Sequence, residues 1–333
     1  ELLRAKTGHW RQTHPWRARS NNSVGLLRHT FSYEEFNELV SFNQGDNDLG
    51  FVFMSHEDEM FNPCFEIGFN FYSQIKNKQE AVFQFCNLNE LNASACVNKH
   101  GKFSEEKFYE LCRKSSILGT LQAGYTSFPY LGKQTEEIVA GEALIGKSIT
   151  GWMTRPELFD ERILRKGAEI VKQTNKEIAR LLGINPAART TTVKPSGNAS
   201  VILKTASGIH PEHSKRYFRI MQLNKESETA KYLQEHYPEM LEESLWSNTQ
   251  SDWVVYVPCE NHDNVIIKDE MHGVKHLKLI ELVQDAWVKT GKNEELCYNK
   301  LTNHNVSNTV IIDGLREGVD YIYSHQDHFT AVS

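Results

Sequence analysis

Between Arg155 and Leu182 the apolar residues Leu158, Ile163, Ala168, Ile170, Val171, Ile178 and Leu181 recur at helical spacing, and Gly183 follows where a helix would stop. A long helix with one apolar stripe must lay that stripe on another layer, so this stretch dictates a layered fold. The flanks supply the layer: 148–151 before it and 190–193 after it are short and β-rich. The alternation extends along the chain. Segments 50–54, 81–86, 253–257 (ended by Pro258) and 308–312 read as strands. Helices are expected over 32–42, 104–118, 133–142, 225–236 and 276–290, the first opened by a Ser32/Glu35 capping box. Short strands between longer helices predict an α/β fold with a parallel or mixed sheet. No repeat, low-complexity tract or Pro/Ser-rich linker breaks the 333 residues, so a single domain is expected.

Bulk properties narrow the function classes. A hydrophobic content of 39% and a charged content of 24% are those of a soluble globular chain, and no apolar run approaches the roughly 18 residues that cross a bilayer. No membrane role is expected. The net charge of −6 argues against a broad nucleic-acid footprint, and the local basic group Arg11, Arg17, Arg19 and Arg28 reads as a solvated face. Six cysteines, at 64, 86, 96, 112, 259 and 297, are too sparse for a secreted disulfide framework, which points to a reducing cytoplasm. Neither end carries an initiator methionine or a leader, and the chain reads as part of a longer protein, cut at both ends.

Two short stretches carry chemistry. In Asn62-Pro63-Cys64-Phe65-Glu66-Ile67, Pro63 biases Asn62 away from helix, so an extended loop is expected. Residues Asn62, Cys64 and Glu66 would then project together, with Phe65 and Ile67 anchoring the other side. A carboxylate beside a thiol keeps it protonated, which suits a cysteine that works as S–H rather than as an ionic nucleophile. The bland alternative is a core cysteine near a surface Asn and Glu. In the second stretch, Thr191-Thr192-Val193 runs into Lys194-Pro195-Ser196-Gly197-Asn198-Ala199-Ser200, a strand, a turn and a helix start. Free helix-end amides and Gly197 make this a candidate phosphate seat formed by Pro195, Ser196, Gly197, Asn198, Ala199 and Ser200. An ordinary turn capped by Ser196 or Asn198 is the alternative.

These blocks resemble the catalytic chain of ribonucleotide reductases. Asn62–Ile67 is similar to the family's active-site finger loop, and its Asn-Pro-Cys form is most like the adenosylcobalamin-dependent class II enzymes. Cys86-Asn87-Leu88-Asn89-Glu90-Leu91-Asn92 is similar to the Cys-Asn-Leu segment that follows that loop, although the distance of Cys86 from Cys64 is nearer the class I arrangement. Pro195–Ser200 resembles the family's phosphate loop, with Asn198 in place of the usual Thr, and Gly208-Ile209-His210-Pro211 and Arg216-Tyr217-Phe218-Arg219 match the next block, expected to lend structural support. The likeness runs from Arg19-Ser20-Asn21-Asn22-Ser23 to about Ile312.

The resemblance implies a ten-stranded α/β barrel threaded by the cysteine loop, and a thiyl-radical reduction of ribonucleotides to deoxyribonucleotides. In that reading Cys64 takes hydrogen from C3′, Glu66 acts as base on the 3′-hydroxyl, Asn62 binds the sugar and Cys86 is half of a redox pair. No cysteine precedes Cys64, which places the other half upstream of the segment in hand. Adenosylcobalamin as cofactor, a ribonucleotide substrate and a thioredoxin-like reductant are implied with it. The alternatives are a class I type large subunit fed by a separate radical-generating chain, and a nucleotide-binding relative without catalysis.

Two motifs compete. Gly141-Glu142-Ala143-Leu144-Ile145-Gly146-Lys147-Ser148 fits the Walker A spacing, but a helix-like stretch precedes it and a strand-like one follows, the reverse of a P-loop. His325 and His328 flank Asp327, a spacing that reads as a solvated polar stretch before a metal site, and no metal ligands are expected. Cys96, Cys112, Cys259 and Cys297 lack paired spacing and read as core residues.

Overall fold

A computed structural model describes residues 2–333 except 44–46, 48, 71, 74–79, 86, 246, 248, 262, 263 and 313. The expected capping box opens the first long helix: Ser32 Oγ accepts from the Glu35 amide while the Glu35 carboxylate takes the Ser32 amide. Strand β1 (Asn22–Leu27), helix α1 (Tyr33–Ser41) and strand β2 (Leu49–Met54) form a βαβ unit with parallel strands, Asn22 opposite Leu49 and Leu27 opposite Met54. A hairpin follows, β3 (Glu59–Phe61) against β4 (Gly68–Asn70), with the cysteine motif at its tip. Next come β5 (Leu88–Asn92), α2 (Glu105–Ala123), α3 (Lys133–Glu142) and β6 (Gly146–Thr150), with β5 and β6 parallel.

Helix α4 (Glu161–Leu182) is the long amphipathic helix read from the sequence. It starts at Asp160, whose carboxylate accepts from the Ile163 amide, and stops at Gly183 with φ +70°. Helix α5 (Gly197–Leu203) follows the phosphate turn. Strands β7 (Arg216–Asn224), β8 (Leu241–Glu243) and β9 (Asp252–Glu260) make a separate antiparallel sheet in the order β8-β9-β7, with helix α6 (Glu228–His236) between β7 and β8. Helix α7 (Gly273–Val283) runs into a π-helical segment, Gln284–Lys289, and α8 (Leu315–Ser324) precedes the last strand, β10 (Ala331–Val332).

The strands around the hairpin are continuous in space. β1 pairs with β2, β2 with β10, and residues 305–310 lie against β10 through Val310 N to Ser333 O and Asn308 Nδ2 to Ala331 O. Val193 bridges Val306 in parallel, Thr191 bridges Lys147, and β6 completes the run with β5. The architecture is α/β, as expected. Among the described residues the pairings do not close a barrel.

Helices cover the outside of this run. The side chain of Ser116 on α2 donates to Val171 O on α4, and Trp287 is fully buried with its indole N–H on Thr192 O. Gly167 lets α4 close on α2, because a Cβ there would meet the Phe108 ring at 2.7 Å. Cys96 and Cys112 are buried in this layer, as read from the sequence, and Cys259 and Cys297 are partly buried. No described helix is long and apolar enough to cross a membrane.

Several expected elements differ. Over 81–86 only Glu80–Ala81 is strand, because Val82 and Phe85 instead pack on Ile138, Val139 and Phe128; Cys86 lies outside the described residues. Segments 190–193 and 308–312 make single bridges and isolated hydrogen bonds rather than ladders. Pro258 does not end β9: it pairs with Phe218 beyond the reach of β8, on a free edge where a missing amide costs no ladder bond. Arg28 is not part of a solvated basic face, since its guanidinium donates to Phe329 O and lies over the Phe53 ring.

One side chain opposes the core it sits in. Lys147, the Walker-like lysine, is fully buried on β6 and its Nζ has no hydrogen-bond partner among the described residues. Burial pulls its pKa down to about 7. The unfolded chain therefore binds the extra proton between about pH 7 and 10.5, so this group's stability penalty grows as pH falls through that window. Lys147→Met is predicted to stabilise the protein by roughly 1–4 kcal/mol at neutral pH and to flatten the rise of melting temperature with alkaline pH, both measurable by thermal unfolding.

Candidate active site

Residues 62–67 form a tight hairpin tip rather than the extended loop expected. The Phe65 amide donates to Asn62 O at 2.8 Å, a turn with Pro63 in its favoured second place, and Phe65 itself has φ +58°. The Asn62 side chain turns inward: its Oδ1 accepts from the Ile67 amide at 2.9 Å and it also hydrogen-bonds Glu66. The three residues thus separate. Cys64 is exposed, Glu66 is 2% exposed, and Ile67 is buried against Leu144 and Ala188. Phe65 does not anchor the far side as expected but lines the same cavity as Cys64.

The tip is held through its own carbonyls. Asn21 Nδ2 donates to Pro63 O, Ser307 Oγ to Cys64 O at 2.8 Å, and both Thr192 Oγ1 (2.6 Å) and the Asn305 amide (3.0 Å) to Glu66 O. At the base, Gly68 O accepts from Arg189, whose guanidinium forks onto Glu142 at 2.8 and 3.1 Å. Both partners are about 1% exposed. Glu142 also takes the Gln84 amide and the Tyr298 N–H; burial opposes its ionisation, yet these donors hold its carboxyl below the usual range. Gly68 has no alternative here, since a Cβ would stand 2.1 Å from Asn303 O.

Electrostatics at the tip favour a neutral thiol. Partial burial and then the Glu66 carboxylate push the Cys64 thiol up, against the pull of Lys194, even though the residue reaches the surface. Burial likewise raises Glu66 above the usual carboxylate range; the Asn62 side chain and Lys194 pull the other way, and one Glu66 oxygen is buried with no hydrogen-bond partner among the described residues. That arrangement offers an exposed S–H within the electrostatic reach of a buried carboxylate.

The Pro195–Ser200 turn stands near them. Cys64 and Pro195 line one cavity of about 590 Å³, a size suited to a nucleotide-sized molecule, together with Asn21, Asn43, His210 and Asn308. Lys194 acts on both Cys64 and Glu66. Ser196 precedes α5 with φ +61° and makes no cap; Gly197 and Asn198 are exposed, and Ser200 Oγ donates to Gly197 O. The amides of Gly197, Asn198 and Ala199, at the first turn of α5, precede the first amide that donates within the helix, Ser200 N to Ser196 O. Gly208 lies under the turn with φ +52°, where a Cβ would meet Lys194 O at 2.4 Å, and Ser207 Oγ donates to Pro195 O. The Gly208–Pro211 block does support the turn, although His210 reaches the cavity as well.

The competing motifs resolve differently. The Walker-like stretch ends α3 and starts β6, with Lys147 in the core, so it makes no phosphate loop. His325 stacks on Tyr321 and Asp327 pairs with His29, while His328 meets Asp285 at 2.6 Å beside Glu281. Sequence reasoning named neither Lys194, Glu90, His210 nor the Asn305-Val306-Ser307-Asn308 stretch as site residues. The density of amide and hydroxyl side chains in that last stretch was the available signal.

Glu142→Ala leaves the Arg189 charge buried and unpaired. It is predicted to cost about 3–5 kcal/mol in urea unfolding and to speed amide exchange at Ile67 and Gly68, whereas exchange in β7 stays unchanged.

No protein-family model and no curated protein matches the chain. Solved structures similar in fold include two ribonucleotide reductase chains. A B-12 dependent (class II) ribonucleotide reductase superposes with a TM-score of 0.70 at 15% identity over 97% of this chain and 47% of that one. The class Id ribonucleotide reductase alpha subunit of Actinobacillus ureae gives 0.56 at 12% identity over 94% of this chain and 64% of the other. The chain thus spans about half to two thirds of the length of these structures, and its fold is the α/β fold seen in ribonucleotide reductases of classes II and Id.

Proposed function

We propose that the chain is the catalytic core of a ribonucleotide reductase. The observation that carries this is the placement of Cys64, a protonated thiol on the wall of a nucleotide-sized cavity, with Glu66 beside it and Pro195 of the phosphate turn in the same wall. The likeness in fold supports it. In this reading the continuous run from β1 to β5 is an arc of the ten-stranded barrel within one catalytic domain.

Each residue then has a task. The Pro195–Ser200 turn receives the phosphates on the free amides of α5 and the positive end of that helix. The ribose lies against the hairpin tip, where the Cys64 sulfur, as a radical, takes the hydrogen atom from C3′ and later returns it. Glu66 accepts the 3′-hydroxyl proton at its unpartnered oxygen. Asn62 orients Glu66 and braces the turn, so its contact with sugar is made from a side chain already engaged. Cys86 is one of the two thiols that become a disulfide as the 2′-hydroxyl leaves as water, and a thioredoxin-like dithiol restores them.

Adenosylcobalamin is the proposed radical source, on the Asn-Pro-Cys form and on the greater likeness to the B-12 dependent structure. The rim beside the exposed Cys64 is rich in amide side chains, including Asn21, Asn43 and Asn47, which fits a ligand that carries amide groups. When bound, the cofactor supplies a carbon radical that takes the hydrogen atom of the thiol. A radical-generating partner chain, as in class I, is the second reading, supported by the class Id likeness.

Full-length protein given adenosylcobalamin, a ribonucleotide and a dithiol is predicted to form deoxyribonucleotide without a second protein, and Cys64→Ala to abolish turnover while keeping nucleotide affinity within about threefold. Binding without turnover in the wild type contradicts the reading. The pH profile is predicted to be a bell. Its acid limb, set by Glu66, lies above the usual carboxyl value of 4.5, and its alkaline limb, set by Cys64, lies above 9.0. Glu66→Gln removes the acid limb and lowers kcat by roughly 10²–10⁴-fold.

A further inference from the structure

One carboxylate already occupies the side-chain donors of the phosphate turn. Glu90, on β5, sits opposite Ser148 in the parallel pairing with β6. Its Oε1 accepts from Ser196 Oγ and from Ser148 Oγ at 3.4 Å, and its Oε2 lies 3.6 Å from Lys194 Nζ with no closer partner among the described residues. Ser148 Oγ in turn accepts from the Lys194 amide at 2.9 Å, so three residues of the turn region converge on one acid whose side chain is 7% exposed. Ser196 has φ +61°, a backbone state that L-residues adopt rarely, and it makes no cap of its own helix. A negative charge at an anion seat opposes the anion unless it has a purpose there.

We infer that Glu90 is a stand-in for the substrate's phosphate: it holds Ser196 and Lys194 in place when the turn is empty, and a nucleotide phosphate must displace it to bind. This rests on the proposed reading of Pro195–Ser200 as the phosphate seat. The like charge excludes free inorganic anions, because a bare phosphate gains too little to evict a carboxylate. A nucleoside di- or triphosphate, held also by its ribose and base, gains enough. Glu90 thereby couples occupancy of the sugar site to release of the phosphate donors. The charged groups that face Glu90 are Lys194 from the turn and Lys147 from β6; burial lifts the Glu90 carboxyl above its usual range against both, so it can take up a proton when a phosphate arrives.

Calorimetric titration of full-length wild type and Glu90→Gln with a nucleoside diphosphate, the matching nucleoside and inorganic phosphate tests this at pH 8. The expected result is that Glu90→Gln binds the diphosphate about tenfold tighter, binds inorganic phosphate measurably where wild type does not, and binds the nucleoside with unchanged Kd. If Glu90→Gln keeps the wild-type melting temperature and binds the diphosphate equally or more weakly, Glu90 is a structural brace and the inference fails. Glu90→Ala, which leaves room for a water, gives the same comparison if the Gln variant does not fold. A wild type that binds diphosphate no better than nucleoside contradicts the phosphate seat itself, and the inference with it.

Discussion

Three backbone carbonyls fix the geometry on which this site depends. Pro63, Cys64 and Glu66 lie in a turn too tight to satisfy them internally, and each finds a donor from distant parts of the chain: Asn21, Ser307, and the pair Thr192 and Asn305. A buried carbonyl left without a donor costs about 1–3 kcal/mol, so these contacts decide where the tip can rest. Two of the donor segments, 191–193 and 305–307, are neighbours in the strand run, and Asn21 precedes β1 at its other end. The tip is therefore located by the sheet itself and not by the hairpin's own short strands.

The same arrangement sets the chemistry. Because Glu66 is drawn under the tip by its carbonyl while Cys64 stays at the surface, the thiol and carboxylate differ in burial yet still influence each other electrostatically. Burial raises both groups above their usual ranges, and for Cys64 that keeps the hydrogen on sulfur. Lys194 is the nearest counter-charge and it is shared with Glu90, so the charge state of the turn and that of the tip are linked through one ammonium. Two non-glycine residues in the left-handed region, Phe65 and Ser196, mark the two ends of this linkage. Strain of that kind persists only where neighbours over-determine the backbone, as they do here.

Much of this was legible in the sequence where local chemistry decides. The capping box at Ser32, the span of α3 and the stop of α4 at Gly183 follow from short-range rules, and the structure places them as read. The reversed order of helix and strand around Lys147 was enough to reject a P-loop. What was not legible depends on distant partners. Pro63 argued for an extended 62–67, but Phe65 adopts a left-handed turn whose carbonyls are held by donors far away in sequence. Segments 81–86 and 308–312 have strand composition, yet their side chains find better packing or hydrogen bonds than a ladder offers. Glu90 lies inside a stretch noted for Cys86, and only the pairing of β5 with β6 shows that it faces Ser196.

The fold is shared with two reductases at low identity, which leaves the function to the site. The central claim is that one nucleotide bridges the hairpin tip and the phosphate turn. A crystal structure of the protein grown with a nucleoside diphosphate tests it directly. The account predicts the ribose C3′ within about 4 Å of the Cys64 sulfur and the phosphates on the amides of Gly197, Asn198 and Ala199. A nucleotide bound away from that cavity, or one seated there with its phosphates turned from α5, would contradict it.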